Sequence, residues 1–100
     1  MIARIWHGRV PVAKSDAYLE HMRTVAIPRY KAVPGNLAAH ALRRIEGSIA
    51  HIEMLTFWES LEAIKGFAGE NVEVARYYDF DKDFLLEYEP TCRHYELYEG

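Results

Sequence analysis

The chain has 100 residues and a mass of 11.6 kDa, half of them apolar and 27% charged, which suits one globular domain over residues 1–100. Twelve Lys and Arg against fifteen Asp and Glu leave a net charge of −3, so no basic excess exists to displace counterions from a phosphate backbone and nucleic acid is not an expected partner. No apolar run approaches the ~18 residues that span a bilayer. The N-terminus lacks the basic and apolar regions of a signal peptide. Cys92 stands alone, without a partner for an intrachain disulfide or a cysteine zinc site, so the expected placement is the reducing cytoplasm.

Ile2 to Arg9 is rich in β-branched and aromatic residues and reads as a strand that Pro11 stops. Ser15-Asp16 carries a helix N-cap signal. Tyr18, Met22, Val25 and Ala26 then mark one helical face, which Pro28 must kink or end. Arg29 to Val33 adds at most a final turn before Pro34-Gly35. Leu37 to Ile45 and Ile49 to Trp58 are extended segments joined by the turn residues Glu46-Gly47-Ser48. In the second, Ile49, His51, Glu53, Leu55 and Phe57 point one way, and Ala50, Ile52, Met54, Thr56 and Trp58 the other. Ser60 caps a short helix with Leu61, Ile64 and Phe67 inward, and Gly69 ends it. Asn71 to Tyr78 is expected to add a helical turn or two. Phe84, Leu85 and Leu86 read as a buried anchor, and Thr91 to Tyr98 as the last strand.

The order β-α-β-β-α-β predicts an α+β, ferredoxin-like protomer: a four-stranded antiparallel sheet with both helices on one face. The other face keeps apolar residues, and a second copy packed sheet to sheet would cover them in a C2 homodimer.

His7, His40, His51 and His94 fall one to each strand. Imidazole serves as a base near neutral pH or as a metal ligand, but no pair here has the short spacing of a metal motif, so no metal is expected. His94 is the leading base candidate because Glu96, two residues on, shares its face, and a neighbouring carboxylate raises an imidazole's pKa. Trp6 and Trp58 are placed at strand ends as pocket walls or core. Tyr77 and Tyr78 offer phenols to a ligand or pack the loop. Asp79, Asp81 and Asp83 alternate, yet Phe84 and Pro90 stand where a calcium loop needs Gly and Glu, so the run reads as a solvated loop. Cys92 reads as a buried, inert thiol.

Ile2-Ala3-Arg4-Ile5-Trp6, Trp58-Glu59-Ser60-Leu61-Glu62-Ala63-Ile64-Lys65-Gly66-Phe67, Glu73-Val74-Ala75-Arg76-Tyr77-Tyr78 and His94-Tyr95-Glu96 together resemble the antibiotic biosynthesis monooxygenase-like family over nearly the whole chain. The resemblance implies a ferredoxin-like protomer paired as a dimeric α/β barrel. It also implies a range of activities: oxygenation of aromatic polyketides without metal or flavin, quinol oxygenation, haem binding and degradation, or no known activity. The haem-degrading branch has an Asn on the first strand, a Trp ending the third and a His in the second helical region. Trp58 matches the Trp, whereas Trp6 and His7 stand near the Asn position and Leu61 to Ala68 holds no His.

By that analogy the chain is expected to be a cofactor-independent monooxygenase acting on a small aromatic or quinol-like ligand. His94 or His7 would be the base, Arg4 or Tyr77 the donor to the substrate anion, and Trp58 with Phe67 the apolar wall. The alternative is a non-catalytic dimeric domain that binds a small ligand or assembles. Haem binding is the less favoured reading.

Overall fold

Side chains two apart along a strand share a face, so the strand pattern of this chain fixes two surfaces before any helix is placed. The structure, a computed structural model, describes residues 1–99. Strand β1 (Ile2–Pro11) leads into helix α1 (Val12–His21), a π-helical stretch (Met22–Ala26) and helix α2 (Ile27–Lys31). Then come β2 (Asn36–Glu46), β3 (Ile49–Trp58), helix α3 (Leu61–Ala68), a 3-10 turn (Asp79–Asp83) and β4 (Arg93–Glu96). The strands form one antiparallel sheet in the order β2-β3-β1-β4. This is the expected ferredoxin-like α+β arrangement.

The β3 alternation holds along the whole strand. Ala50, Ile52, Met54, Thr56 and Trp58 are buried under the helices, and the intervening residues are half-buried on the open face. Register carries the same division to the neighbours. Arg4, Trp6, Gly8 and Val10 face the helices, and His94 of β4 pairs with Arg4 on that side. Ile5, His7 and Arg9 lie on the open face opposite Leu55, Glu53 and His51. Gly8 is required where it stands, because a Cβ there would come within 2.6 Å of the Trp6 indole.

Several local expectations are corrected. Helix α1 begins at Val12, not at Ser15, with extended Pro11 before it. Ser15 is instead buried inside the helix, where its hydroxyl accepts from Arg43 at 3.1 Å. Asp16 also receives Arg43, at 2.6 Å, so the polar pair ties α1 to β2 instead of capping. Pro28 does not end the helix. The preceding turn widens so that the Ile27 N–H reaches the Met22 carbonyl five residues back, and the proline ring is accommodated.

Asn71 to Tyr78 is not helical. The segment runs extended: Val74 bridges Thr91, the Ala75 N–H donates to the Pro90 carbonyl at 2.9 Å, and the Cys92 N–H to the Glu73 carbonyl at 2.8 Å. The Asn71 side chain accepts from the Glu73 N–H at 3.2 Å, a turn that competes with helix initiation. Phe84 and Leu85 pack against the core as expected, but Leu86 is 48% exposed. Its N–H donates to the Arg9 carbonyl at 2.9 Å, so this stretch covers the edge of β1 beyond the end of β4. The last strand spans Arg93–Glu96 only, shorter than Thr91 to Tyr98.

Candidate functional site

The sequence-derived candidates separate onto the two sides of the sheet. Arg4, Trp58, Phe67, Tyr77 and His94 gather under the helices, whereas His7 lies on the open face.

Arg4 is the centre of the helix-side group. It is 1% exposed, and among the described residues its guanidinium donates from Nη2 to the Val74 carbonyl at 3.3 Å, lies beside the Tyr30 hydroxyl and the Cys92 thiol, and leaves Nε without a partner. Among the described residues it forms no ion pair. It lies 5.6 Å from the centroid of the Phe67 ring, which stacks on Tyr30 with centroids 4.1 Å apart. A buried cation without a counter-charge is costly, by several kcal/mol in order of magnitude. Three more buried polar atoms also lack partners: His94 Nε2, Trp6 Nε1 and Tyr78 Oη.

His94 sits opposite Arg4 across the β1–β4 pair. Its expected partner is absent, since Glu96 accepts from the Tyr98 hydroxyl at 2.9 Å instead. The expected rise in pKa is a fall. Desolvation lowers it first, the Arg4 charge lowers it further, and Glu73 pulls weakly the other way. The imidazole is therefore neutral at pH 7 and carries a free lone pair, the state a general base needs.

The phenols here stay protonated. Burial pushes Tyr77 up to about 12. Burial also raises Tyr30 and Tyr78, with neighbouring arginines pulling part of the way back. Tyr77 donates its hydroxyl to the Glu89 carbonyl and meets Trp6 edge to face at 6.0 Å. Trp58 is fully buried, with its indole N–H donating to Thr56 Oγ1 at 2.8 Å, and it reads as core. Trp6 is core too, at mid-strand and not at a strand end. Beside this group a hollow of about 220 Å³ opens between Arg29, Gly66, Phe67, Arg76, Tyr77 and Tyr78.

The open face holds a different arrangement. Glu89 Oε2 lies 2.5 Å from His7 Nδ1, His7 Nε2 lies 2.9 Å from His51 Nδ1, and His51 Nε2 lies 3.3 Å from Glu46 Oε1. A depression of about 510 Å³ surrounds the pair, with Arg44, Glu53, Arg93 and Tyr95 on its walls. Both nitrogens of His7 are engaged, so it has no lone pair to offer a substrate in this arrangement. Among the described residues no group of three or more His, Cys, Asp or Glu side chains is placed to hold a metal ion. Among the same residues no helix is long and apolar enough to cross a membrane.

Sequence reasoning missed two features. The His7–His51 pair depends on strand register, and nothing in the local pattern of either strand specifies it. Asp81, read as a solvated acid, is 1% exposed. It accepts from the Tyr18 hydroxyl at 2.8 Å and from the Tyr78 N–H at 2.6 Å. Desolvation raises its carboxyl above the ordinary value, against those hydrogen bonds.

No family model and no curated protein sequence matches the chain. Solved structures do. An antibiotic biosynthesis monooxygenase-like protein from Nitrosomonas europaea superposes with a TM-score of 0.67 at 17% identity, over 96% of this chain and 97% of that one. Another from Bacillus cereus gives 0.68 at 14% identity, over 100% and 95%. The haem degrader MhuD from Mycobacterium tuberculosis, determined with two haems in its active site, gives 0.63 at 17% identity over 100% and 98%. The chain has the antibiotic biosynthesis monooxygenase-like fold. Identities this low carry the fold and leave activity to the residues of the site.

Proposed function

We propose that the chain is a homodimeric, cofactor-independent monooxygenase of a small aromatic or quinol-like molecule, with its site at the β1–β4 seam under the helices. The observation that carries this reading is the juxtaposition of a neutral, desolvated imidazole, His94, with an unpaired buried guanidinium, Arg4. The first takes a proton and the second holds the anion that results.

In the reaction, His94 removes a phenolic or enolic proton from the bound substrate. Arg4 stabilises the negative charge on that oxygen, and Phe67 with Tyr77 encloses the ring. The electron-rich anion passes one electron to O₂, giving superoxide and a substrate radical. The two combine to form a C–O bond, and the peroxide, protonated by the imidazolium, loses water to leave a quinone. One O₂ is consumed per turnover, with one oxygen atom in the product and one in water. Seclusion from solvent protects the radical pair. His7 has no part in the step, since Glu89 and His51 occupy its ring nitrogens.

A haem reading is not supported by the residues. Helix α3 contains no histidine, its Phe67 is stacked on Tyr30, and Trp58 is fully buried as core. The dimer is supported by the open face, where Leu42, Ile5, Leu55, Phe57 and Tyr95 lie at half-buried or exposed positions on one surface. Cytoplasmic residence is supported by the single free thiol.

The test is oxygen uptake with dihydroxynaphthalene or anthrone in the presence of a chelator. Uptake by the native protein that persists under chelation, and falls about a hundredfold or more in His94→Ala, is the expected result. Uptake unchanged by the substitution would remove His94 from the mechanism, and no uptake with any acidic phenol or enol would leave a binding domain without catalysis.

A further inference from the structure

The unpaired Arg4 says more than that an anion forms during turnover. A guanidinium donates five N–H groups in a planar fork that matches a carboxylate. Here that fork is 1% exposed and, among the described residues, meets neutral groups: the Val74 carbonyl at 3.3 Å, which is long for a charge-assisted contact, with the Tyr30 hydroxyl and the Cys92 thiol beside it. Val74 belongs to the extended Gly69–Tyr78 stretch, which is held over the sheet by a handful of backbone bonds and leaves the Val74 side chain 43% exposed. An anionic oxygen at the position of the Val74 carbonyl would balance the charge that a carbonyl leaves unpaired.

The hollow that shares Phe67 with Arg4 has the same sign. The adjoining hollow has Arg29 and Arg76 on its walls and no carboxylate. Arg29 rests on the Tyr78 ring, 5.0 Å from its centroid, and Arg76 donates to the Phe67 carbonyl at 3.1 Å. Neither makes an ion pair among the described residues. Phe67 walls the hollow and also packs against the Arg4 guanidinium. Arginines on the walls of the hollow, and Phe67 shared between it and the buried Arg4, favour a flat anion on this side of the sheet.

We propose that this seam binds an aromatic carboxylate, its ring along Phe67 and Tyr77 and its charge on Arg4 in place of the Val74 carbonyl. The inference rests on the reading above that the seam is the substrate site, and it adds that the substrate arrives already charged. A molecule that carries both a ring carboxylate and an oxidisable hydroxyl is the class that fits: Arg4 takes the carboxylate and the neutral His94 takes the hydroxyl proton. Arg4 then anchors a charge present from the start, and the charge formed by proton removal is shared with it.

Binding of 2-naphthoate and of its neutral isostere 2-naphthamide, measured by calorimetry on the native protein without oxygen turnover, tests this. The carboxylate is expected to bind about tenfold or more tightly than the amide. In Arg4→Met that preference is expected to vanish, while the unliganded variant melts at a higher temperature because an unpaired buried charge is gone. Equal affinity for acid and amide in the native protein overturns the proposal whether or not the variant folds, and so does a preference that survives in Arg4→Met. Oxygen uptake is read separately with 1,4-dihydroxy-2-naphthoate and with uncharged dihydroxynaphthalene. Carboxylate selectivity without uptake upholds the receptor and overturns the oxygenase. Uptake with dihydroxynaphthalene, together with equal binding of acid and amide, upholds the oxygenase and overturns the receptor.

Discussion

The two sides of one sheet carry the same residue types to opposite ends. Under the helices His94 faces a cation and has no acid partner, whereas on the open side His7 and His51 are strung between Glu89 and Glu46. Burial and a positive neighbour favour the neutral ring at His94, whereas on the open side carboxylates and a second imidazole occupy the ring nitrogens. Residue type alone therefore does not nominate a base. The sign of the neighbouring charge and the number of free ring nitrogens do, and both select His94 over His7.

The largest expected contrast between the faces is in packing. Trp58→Ala, within the fully buried helix-side core, is expected to cost about 3–5 kcal/mol of stability by chemical denaturation. Phe57→Ala, next in sequence but on the open side, is expected to cost about 1 kcal/mol in the protomer and to shift light scattering from twice the 11.6 kDa chain mass towards a single chain. Equal losses for the two, with no change in particle size, would show that the open side is not a covered interface.

A second contrast is electrostatic. His94 has a folded-state pKa below its ordinary 6.5, through desolvation and then Arg4. Unfolding thus takes up a proton that the folded chain refuses. The stability it contributes is complete above pH 6.5 and is lost as the pH falls below that value towards the folded pKa. Glu20 and Glu46, held below the ordinary 4.5 by hydrogen bonds from Arg23 and from Arg44 and His51, lose their contributions only in a more acid window. His94→Gln is accordingly expected to flatten the fall in melting temperature between about pH 6.5 and 5 and to leave the steeper loss near pH 4 in place. A native profile already flat in the upper window would contradict the half-buried, cation-facing imidazole.

Strand-level information was legible in the sequence because period-two alternation survives burial: both β3 faces and the 46–48 turn follow from side-chain order alone. Helix α3 was legible for a similar reason, since Ser60 accepts from the Ala63 N–H at 3.2 Å as a cap should. The site was legible only as residue types. Arg4 and His94 are 90 positions apart, and what makes them chemistry is register across β1–β4. The Glu96 pairing failed because β4 is short and its exposed side turns Glu96 to Tyr98. Asp81 was misread because its partners, Tyr18 and the Tyr78 N–H, are set by tertiary contact and by a 3-10 turn that has no apolar period.

The smallest expected effect separates the open-face chain from ordinary surface charge. Full occupancy of its three contacts needs three ring protons on two imidazoles: one on His7 Nδ1 towards Glu89, one on His51 Nε2 towards Glu46, and one shared between the facing nitrogens. A fourth proton sets two N–H groups against each other, and with two protons one of the three contacts is empty. Glu46→Gln removes the more exposed of the two carboxylates and is expected to leave the melting temperature nearly unchanged, as for other surface pairs. Its signature is instead in the ring signals. In nitrogen NMR the ring signals of both His7 and His51 are expected to shift in Glu46→Gln, although of the two rings Glu46 touches only His51. A shift confined to His51 would mean that the 2.9 Å contact between the rings transmits nothing, and the open face would then be a set of separate pairs.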